Sequence, residues 1–137
     1  LFEAAAGGGA LLGGVSIHAT TGDALEGAVV AGSKAVLDRL GVSRFGLTAG
    51  PKIGSLALRL ARVAEGRLDI AVARGDSHDW DLAAADLLVH EAGGRLTTLD
   101  GTDLVYNRPE VVHEVLVAAG RARHRRLIEE FSSRAEI

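Results

Sequence analysis

The sequence predicts one α/β domain in which short strands alternate with helices, preceded by a glycine-rich hairpin. The length of 137 residues suits a single compact domain, and an apolar fraction of 47% is enough to fill its core. Segments with strand-like and helix-like apolar spacing follow one another along the chain. Eighteen glycines separate many of these segments, as expected of turns and helix ends.

The hairpin is predicted in residues 1–17, as two short strands joined at Gly7, Gly8 and Gly9. Its apolar positions are Phe2, Leu11, Leu12 and Val15. These glycines are predicted to be structural, because no Lys-Ser/Thr pair opening a helix follows them, as a phosphate-binding P-loop requires.

The rest of the chain is predicted to alternate between strands and helices. Strands are expected at residues 28–32, 43–48, 68–73, 95–99 and 113–118. Helices are expected at residues 34–40, 53–65, 80–92 and 121–131. Ser33 suits the N-cap of the first helix, which Gly41 ends. The helix at 80–92 is apolar almost all round, which predicts burial between two layers.

Composition excludes several classes of protein. The absence of cysteine excludes disulfides, thiolate catalysis and Cys-type zinc sites. A net charge of −3 argues against nucleic acid as a partner, and the basic run at Arg121, Arg123, Arg125 and Arg126 is predicted to be a solvated helix face. No apolar run approaches the ~18–20 residues that span a bilayer. We therefore expect a cytoplasmic protein without a membrane partner. The chain contains no methionine, so further sequence is expected upstream of Leu1.

The best candidate for chemistry is the segment from Asp76 to Asp81, where three carboxylates and an imidazole fall within six residues. It follows a predicted strand, at the kind of sheet edge where ligands tend to bind. Mg²⁺ prefers one or two carboxylates together with phosphate oxygens and water. Asp79 and Asp81 can instead cap and charge the start of a helix. The spacing alone leaves both interpretations open.

The candidates for substrate binding are small and basic residues that follow predicted strands. Gly54 and Ser55 open the helix at 53–65, whose first N–H groups can hold an anion. Arg59 and Arg62 are expected on the polar side of that helix, with Lys52 nearby. The alternative is an ordinary cap with solvated cations.

Two further pairs are weaker candidates. Ser33-Lys34 follows the strand at 28–32, where it can equally be a plain helix cap. Tyr106-Asn107 falls in a predicted loop, where turn chemistry alone accounts for the Asn.

Several of these residues belong to a recognisable pattern. Trp80-Asp81-Leu82-Ala83-Ala84, followed by the run from Leu88 to Gly94, resembles the second signature of the inositol monophosphatase superfamily, roughly W-D-x-A-A and then L-V-x-E-A-G-G. Gly54-Ser55 and the later Glu65-Gly66 match the family helix that precedes it. The resemblance covers essentially the whole chain. It implies the C-terminal α/β layer of the family's αβαβα sandwich (residues 19–137), with residues 1–18 as a hairpin of the N-terminal sheet.

The resemblance also implies roles for individual residues. Asp81 matches the Asp that ligates Mg²⁺, and Gly54 and Ser55 match substrate-lining positions. Arg59, Asp79 and Tyr106-Asn107 look like the 3'(2'),5'-bisphosphate nucleotidase branch. In that branch the substrate carries a second phosphate, and Arg59 is the residue expected to hold it. Ser33, Lys34 and Arg74 are further candidates for binding a phosphorylated substrate. The Glu with which inositol monophosphatases hold a ring hydroxyl is not found nearby, at 71–73.

The family's first signature, D-P-x-D-G-T, is absent from the sequence. The resemblance therefore implies that a missing N-terminal half supplies most metal ligands and that this chain alone is inactive. The predicted activity is Mg²⁺-dependent hydrolysis of 3'-phosphoadenosine 5'-phosphate to AMP and phosphate. The alternatives are an inositol-1-monophosphatase or other sugar-phosphate phosphatase, and a non-catalytic pseudo-enzyme or binding domain. A homodimer is a further possibility.

Overall fold

The computed structural model describes residues 1–74, 77–104, 106, 112–113 and 115–135. For residues 42, 77–81, 112–113 and 133–135 it describes the backbone only. The metal candidate Asp76 and the turn residue Asn107 therefore lie outside the described residues. So do the side chains of Asp79, Trp80 and Asp81.

The chain begins with a small antiparallel sheet of three strands. These are β1 (Phe2–Ala5), β2 (Gly9–Leu12) and β3 (Val15–Ser16), paired in sequence order. The predicted hairpin around Gly7, Gly8 and Gly9 is present, and a second turn adds β3. Gly13 and Gly14 form that turn with φ values of 58° and 82°, a conformation that favours glycine.

The described residues form a main sheet of five strands in the order β5-β4-β6-β10-β8. They are β4 (Val29–Ala31), β5 (Thr48–Ala49), β6 (Ile70–Ala73), β8 (Gly94–Thr98) and β10 (Leu116–Gly120). β4 is parallel to β5 and β6, whereas β10 is antiparallel to β6 and β8. A separate pair joins β7 (Ser77–His78) to β9 (Val112–His113).

In the described part of the chain, four α-helices cover the two faces of this sheet. They are α1 (Lys34–Leu40), α2 (Leu56–Ala64), α3 (Asp79–Glu91) and α4 (Arg121–Ala135). Successive residues of β6 face opposite sides: Ala71 and Ala73 pack in the core with α2 and α3, whereas Ile70 and Val72 pack in the core with α1 and α4. The alternation is the period-2 geometry of a strand buried on both faces, and it confirms the predicted α/β layers.

Helix α3 lies between the small sheet and the main sheet, because it contacts β1 and β2 on one side and β8 on the other. Its buried anchors include Leu82 and Val89, which have no exposed surface. The prediction of a helix between two layers is thus confirmed. It is not buried all round, since Ala83, Ala84 and His90 are exposed. None of the described helices is long and apolar enough to cross a bilayer.

Three predicted elements need correction. The strand expected at 113–118 is β10, Leu116–Gly120, since residue 113 belongs to β9 in the separate pair. The strand expected at 43–48 is a 3₁₀ helix, Val42–Phe45, followed by the two-residue strand β5. Gly41 and Gly46 both adopt left-handed backbone conformations on either side of it, which stops an extended run. The helix expected from residue 53 begins at Leu56, because the Ser55 hydroxyl accepts a hydrogen bond from the Leu58 N–H and so serves as the N-cap.

The basic run on α4 also needs correction. Arg121, Arg125 and Arg126 are exposed as predicted, but Arg123 is only 7% exposed. Its guanidinium donates to the Ala24 carbonyl and to the Thr20 hydroxyl, each at 2.8 Å. Thr20 in turn donates to Asp69, which lies 3.6 Å from the Arg123 guanidinium. Arg123 is therefore a buried, hydrogen-bonded residue that joins α4 to the 20–24 segment.

Candidate functional site

The predicted substrate-binding residues follow the carboxyl ends of three neighbouring parallel strands. Ser33 follows β4, Gly54 and Ser55 follow β5, and Arg74 follows β6. Because these strands are parallel, their carboxyl ends meet at one edge of the sheet. This edge, formed by residues 32–34, 50–55 and 74, is called here the candidate edge. In an open α/β sheet, ligands bind outside the carboxyl ends of the strands.

The candidate edge is closely packed where the loops leave the sheet. A Cβ added at Gly32 would lie 2.2 Å from the Val72 Cγ2. A Cβ added at Gly50 would lie 2.9 Å from the Val29 Cγ1 and 3.1 Å from the Val30 carbonyl oxygen. Glycine directly after β4 and directly after β5 therefore lets the two loops turn close against neighbouring strands. No motif in the sequence marks these two glycines, although each directly follows an apolar run.

Ser33 and Ser55 are both helix caps. The Ser33 hydroxyl accepts a hydrogen bond from the Val36 N–H at 3.2 Å, and the Ser55 hydroxyl accepts one from the Leu58 N–H at 3.2 Å. The structural alternative stated for each serine is thus realised. It does not exclude a second role, because a hydroxyl that accepts through one lone pair still has its own O–H to donate.

Three basic side chains surround the candidate edge on the described surface. Lys34 and Lys52 are exposed, Lys34 as the first residue of α1 after β4 and Lys52 in the loop that follows β5. Arg74 is also exposed, directly after β6, and has an interaction within the protein. Together they give this edge the positive charge that a small phosphate ester requires.

Arg59 lies deeper than predicted, because its guanidinium hydrogen-bonds the backbone. Its Nε donates to the carbonyl oxygen of Ile53 at 3.2 Å, and its Nη1 donates to the carbonyl oxygen of Val72 at 2.5 Å. Burial lowers the pKa of the guanidinium below its usual value, although an arginine stays charged in proteins. Arg59 thus connects the loop at 50–55 with the end of β6, and it is not the solvated arginine of the structural alternative.

The metal site is incomplete in the described part of the chain. There, no three His, Asp or Glu side chains are placed to hold a metal ion together. The backbone of Asp81 lies in the first turn of α3, eight residues after Ala73, the last residue of β6. The side chain of Asp81 and all of Asp76 lie outside the described residues. The described side chains do not fit a magnesium site by themselves, and no chemical step through a metal follows from them.

Glu91 connects α3 to the glycine turn, a contact that the sequence pattern does not predict. Its Oε1 accepts from the Gly9 N–H at 2.9 Å and its Oε2 from the Gly7 N–H at 3.2 Å. These two backbone donors are the main reason why the pKa of Glu91 lies below its usual value. The glycine turn therefore holds a carboxylate of this same chain, which agrees with its predicted structural role.

Two grooves lie away from the candidate edge. One, of about 400 Å³, is lined among others by Asp86, His90, Arg95 and Tyr106, and the Tyr106 hydroxyl donates to Asp86 at 2.7 Å. The other, of about 700 Å³, lies between β1 and the helices α2 and α3. The weaker candidate Tyr106 lines the first groove. The predicted substrate-binding residues Ser33, Lys34, Gly54, Ser55, Arg59 and Arg74 line neither groove.

Known proteins resemble this chain along nearly its whole length. Nus factor SuhB of Escherichia coli (strain K12) is 32% identical over 132 residues, covering 85% of this chain and 49% of that protein. The structure of inositol monophosphatase from Anabaena (Nostoc) sp. PCC 7120 superposes with a TM-score of 0.75 at 27% identity, covering 96% of this chain and 55% of that one. The chain therefore spans about half the length of these relatives.

A shorter match has a higher identity. Histidinol-phosphatase of Mycobacterium tuberculosis (strain ATCC 25618 / H37Rv) is 64% identical over 39 residues, which cover 28% of this chain and 15% of that protein. The inositol monophosphatase family itself matches residues 1–136. The family match and the superposition confirm the fold class expected from the W-D-x-A-A and L-V-x-E-A-G-G segments. The chain belongs to the inositol monophosphatase family.

Proposed function

We propose that this chain is the C-terminal part of a Mg²⁺-dependent phosphomonoesterase that acts on the monophosphate of a small polyhydroxy or amino alcohol. The observation that carries the proposal is the candidate edge, where polar and basic residues from three parallel strands meet in a chain of the inositol monophosphatase family. Phosphatase activity is the family's general chemistry, and its members are generally metal-dependent. Mg²⁺ is the proposed metal, because it favours carboxylate and phosphate oxygens.

The residues of the candidate edge suit binding and orientation of such a substrate. Lys34, Lys52 and Arg74 would attract an anionic ester to the edge. The Ser55 hydroxyl, held in place by its hydrogen bond with Leu58, has no acceptor for its own proton among the described residues. It can donate that proton to a substrate hydroxyl. Gly54 has open space where a side chain would be, so a substrate can approach the backbone there.

Asp81 is the proposed metal ligand of this chain. It belongs to the helix that follows β6, so its backbone is connected to the candidate edge by a short segment. A bound metal ion would polarise the phosphoryl group and lower the pKa of an attacking water. One carboxylate is too few for this, and we propose that the other ligands come from a segment resembling the N-terminal half of the relatives. That half is the proposed partner of this chain.

The substrate is proposed to be a monophosphate for two reasons. The relatives include proteins named histidinol-phosphatase and inositol monophosphatase. In addition, a bisphosphate nucleotide requires a basic side chain that is free to hold its second phosphate, and Arg59 is the candidate for that role. Two N–H groups of Arg59 are already hydrogen-bonded to backbone carbonyls. The nucleotide 3'-phosphoadenosine 5'-phosphate stays the alternative substrate, since the remaining N–H groups of Arg59 could still reach a second phosphate.

Phosphate release by the complete protein tests the proposal. The substrates are inositol 1-phosphate, histidinol phosphate and 3'-phosphoadenosine 5'-phosphate, each with Mg²⁺ and with a chelator. We expect Mg²⁺-dependent release, fastest from one of the two monophosphates. Preference for the nucleotide would select the alternative substrate. No release from any ester, by a folded protein with Mg²⁺ present, would favour a non-catalytic binding protein. A cytoplasmic location stays a prediction.

A further inference from the structure

We propose that Arg59 is a positioning residue that holds the substrate loop of the candidate edge, residues 51–55, against the end of β6. The inference rests on the proposed function, which assigns substrate binding to that loop. It goes beyond the role expected from the resemblance, in which Arg59 contacts a second phosphate directly. The geometry that carries it is the pair of hydrogen bonds from one guanidinium to Ile53 and to Val72.

The loop has few other connections to the protein. Its first neighbour, Gly50, is anchored by an N–H that donates to Val30 at 2.8 Å, and its last residue, Ser55, caps α2. For residues 51–54, the bond from Arg59 to the Ile53 carbonyl is the only hydrogen bond that the described residues provide. Lys52 and Gly54 are exposed, whereas the Ile53 side chain packs against the core. The loop is therefore held by two contacts: the hydrogen bond from Arg59 and the apolar packing of Ile53.

The other end of the connection is rigid. Val72 is 2% exposed and lies in β6, which is paired with β4 on one side and with β10 on the other. A planar guanidinium with N–H groups in fixed directions can join two carbonyl oxygens at a defined separation, whereas a lysine ammonium cannot reproduce that geometry. The bond to Val72 therefore fixes the position of the loop relative to β6, the central strand, after which the chain continues to Asp81.

Helix α2 does not depend on this guanidinium for its own packing. Leu60, Val63 and Ala64 are its buried anchors, at 1%, 0% and 0% exposure. Removing the Arg59 side chain therefore loosens the loop more than the helix. A displacement of about 1 Å at a substrate-positioning group can cost up to about 100-fold in rate. We expect an intermediate effect, of about tenfold in KM, equal to about 1.4 kcal/mol.

The test compares Arg59→Ala and Arg59→Lys with Arg62→Ala in the complete protein. Arg62 is the matched control, because it lies on the same helix with its side chain 32% exposed. Its partner Glu65, whose side chain is 5% exposed, would keep a second cation, Arg67, at 3.4 Å. KM and kcat are measured for inositol 1-phosphate and for 3'-phosphoadenosine 5'-phosphate. ¹⁵N relaxation gives the order parameters of the Lys52, Ile53, Gly54 and Ser55 amides, which fall from about 0.85 in a rigid backbone to below about 0.6 in a flexible one.

A positioning role predicts that both Arg59 variants raise KM by a similar factor for both esters and lower the loop order parameters, while Arg62→Ala does neither. A merely structural role would reduce the folded fraction, so that apparent kcat falls with KM unchanged. A direct phosphate contact would make the loss selective for the bisphosphate, and Arg59→Lys would retain most of the binding because its charge remains. Either of these results, or unchanged order parameters, would overturn the inference.

Failure of the proposed function would look different. The unaltered protein would then hydrolyse neither ester, which overturns the proposed function and the substrate part of this inference together. The order parameters would still decide whether Arg59 holds residues 51–55, since that measurement requires no activity.

Discussion

The imidazole Nε2 of His124 lies 2.7 Å from the hydroxyl oxygen of Thr97, and the two side chains are 1% and 0% exposed. The Thr97 hydroxyl donates its proton to the Thr98 carbonyl at 2.8 Å, so Nε2 is assigned as the protonated ring nitrogen that donates to Thr97. This bond joins α4 to β8. Burial, followed by repulsion from Arg95 and partly offset by attraction to Asp103, lowers the pKa of His124 to about 4.

The first prediction concerns the pH dependence of stability. The His124 imidazole is neutral in the folded protein down to about pH 4, whereas in the unfolded chain it takes up a proton below its usual pKa of 6.5. Protonation therefore favours unfolding, and stability falls as pH is lowered from about 6.5 towards 4. The upper bound is on the order of 3 kcal/mol, at 1.36 kcal/mol for each pKa unit.

His124→Gln should remove this contribution while retaining a donor for Thr97. The free energy of unfolding, measured by urea denaturation at pH values between 4 and 7, should fall less steeply towards acid in the variant than in the unaltered protein. The comparison between the two proteins isolates His124 from the carboxylates that titrate in the same range. Equal slopes would mean that the pKa of His124 is the same in the folded and unfolded states, which contradicts the lowered value.

A second prediction concerns the turn that Glu91 holds. Glu91→Ala removes both acceptors of the Gly7 and Gly9 N–H groups, so amide hydrogen exchange at these two glycines should become faster while exchange in β6 stays unchanged. Glu91→Gln keeps one acceptor oxygen and should give an intermediate result. Glu3→Gln, an exposed carboxylate on β1, is the control. Unchanged exchange at Gly7 and Gly9 in Glu91→Ala would contradict the assigned bonds.

The pH dependence of this turn has the opposite origin from that of His124. Because the folded pKa of Glu91 is lowered, the carboxylate is the form that the fold favours. Its contribution is present at neutral pH and is lost as pH falls through the lowered pKa. Protection of the Gly9 amide should therefore decrease only in acid, below the usual titration range of a glutamate. Loss of protection near neutral pH would contradict this.

The third prediction is that Arg123 stabilises the fold. Arg123→Met removes the donors to Thr20 and Ala24 and leaves Asp69, whose side chain is 20% exposed, without its cation. Breaking a buried ion pair from one side costs about 3–5 kcal/mol, and the partial exposure of Asp69 places the expected loss near the lower end. Arg125→Met, an exposed arginine on the same helix, should change the free energy of unfolding by less than about 0.5 kcal/mol. Equal effects of the two variants would refute the assignment.

A fourth prediction tests the proposed metal ligand. Asp81→Asn in the complete protein should reduce kcat by at least about 100-fold, beyond the about 10–100-fold typical of groups that only support a metal ligand. The fold should persist, since Asn keeps the shape and a helix-start hydrogen bond. Phosphate release over a range of Mg²⁺ concentrations gives the measurement, and Asp38→Asn on the exposed surface of α1 is the control. Near-normal kcat at saturating Mg²⁺ would make Asp81 a helix-start residue only.

The sequence by itself determined the elements that depend on neighbouring residues. Ser33 caps α1 and Gly41 ends it, because both act within one helical turn of their own position. The all-round apolar pattern of α3 predicted its place between two sheets. The signature around Asp81 and Glu91 predicted the family, since an unbroken run of matched residues is specific without any knowledge of contacts.

Only the tertiary structure decided the roles of residues whose partners are distant in the chain. The sequence predicts Arg123 to be one of four solvated arginines, whereas in the fold it contacts Asp69, Thr20 and Ala24. The sequence predicts Arg59 to be a polar helix residue, whereas in the fold it donates a hydrogen bond to the Val72 carbonyl, thirteen positions away. Residue type and spacing indicate which hydrogen bonds a side chain can donate. Which acceptor it meets is set by how helices and strands pack, and that depends on the core of the whole domain.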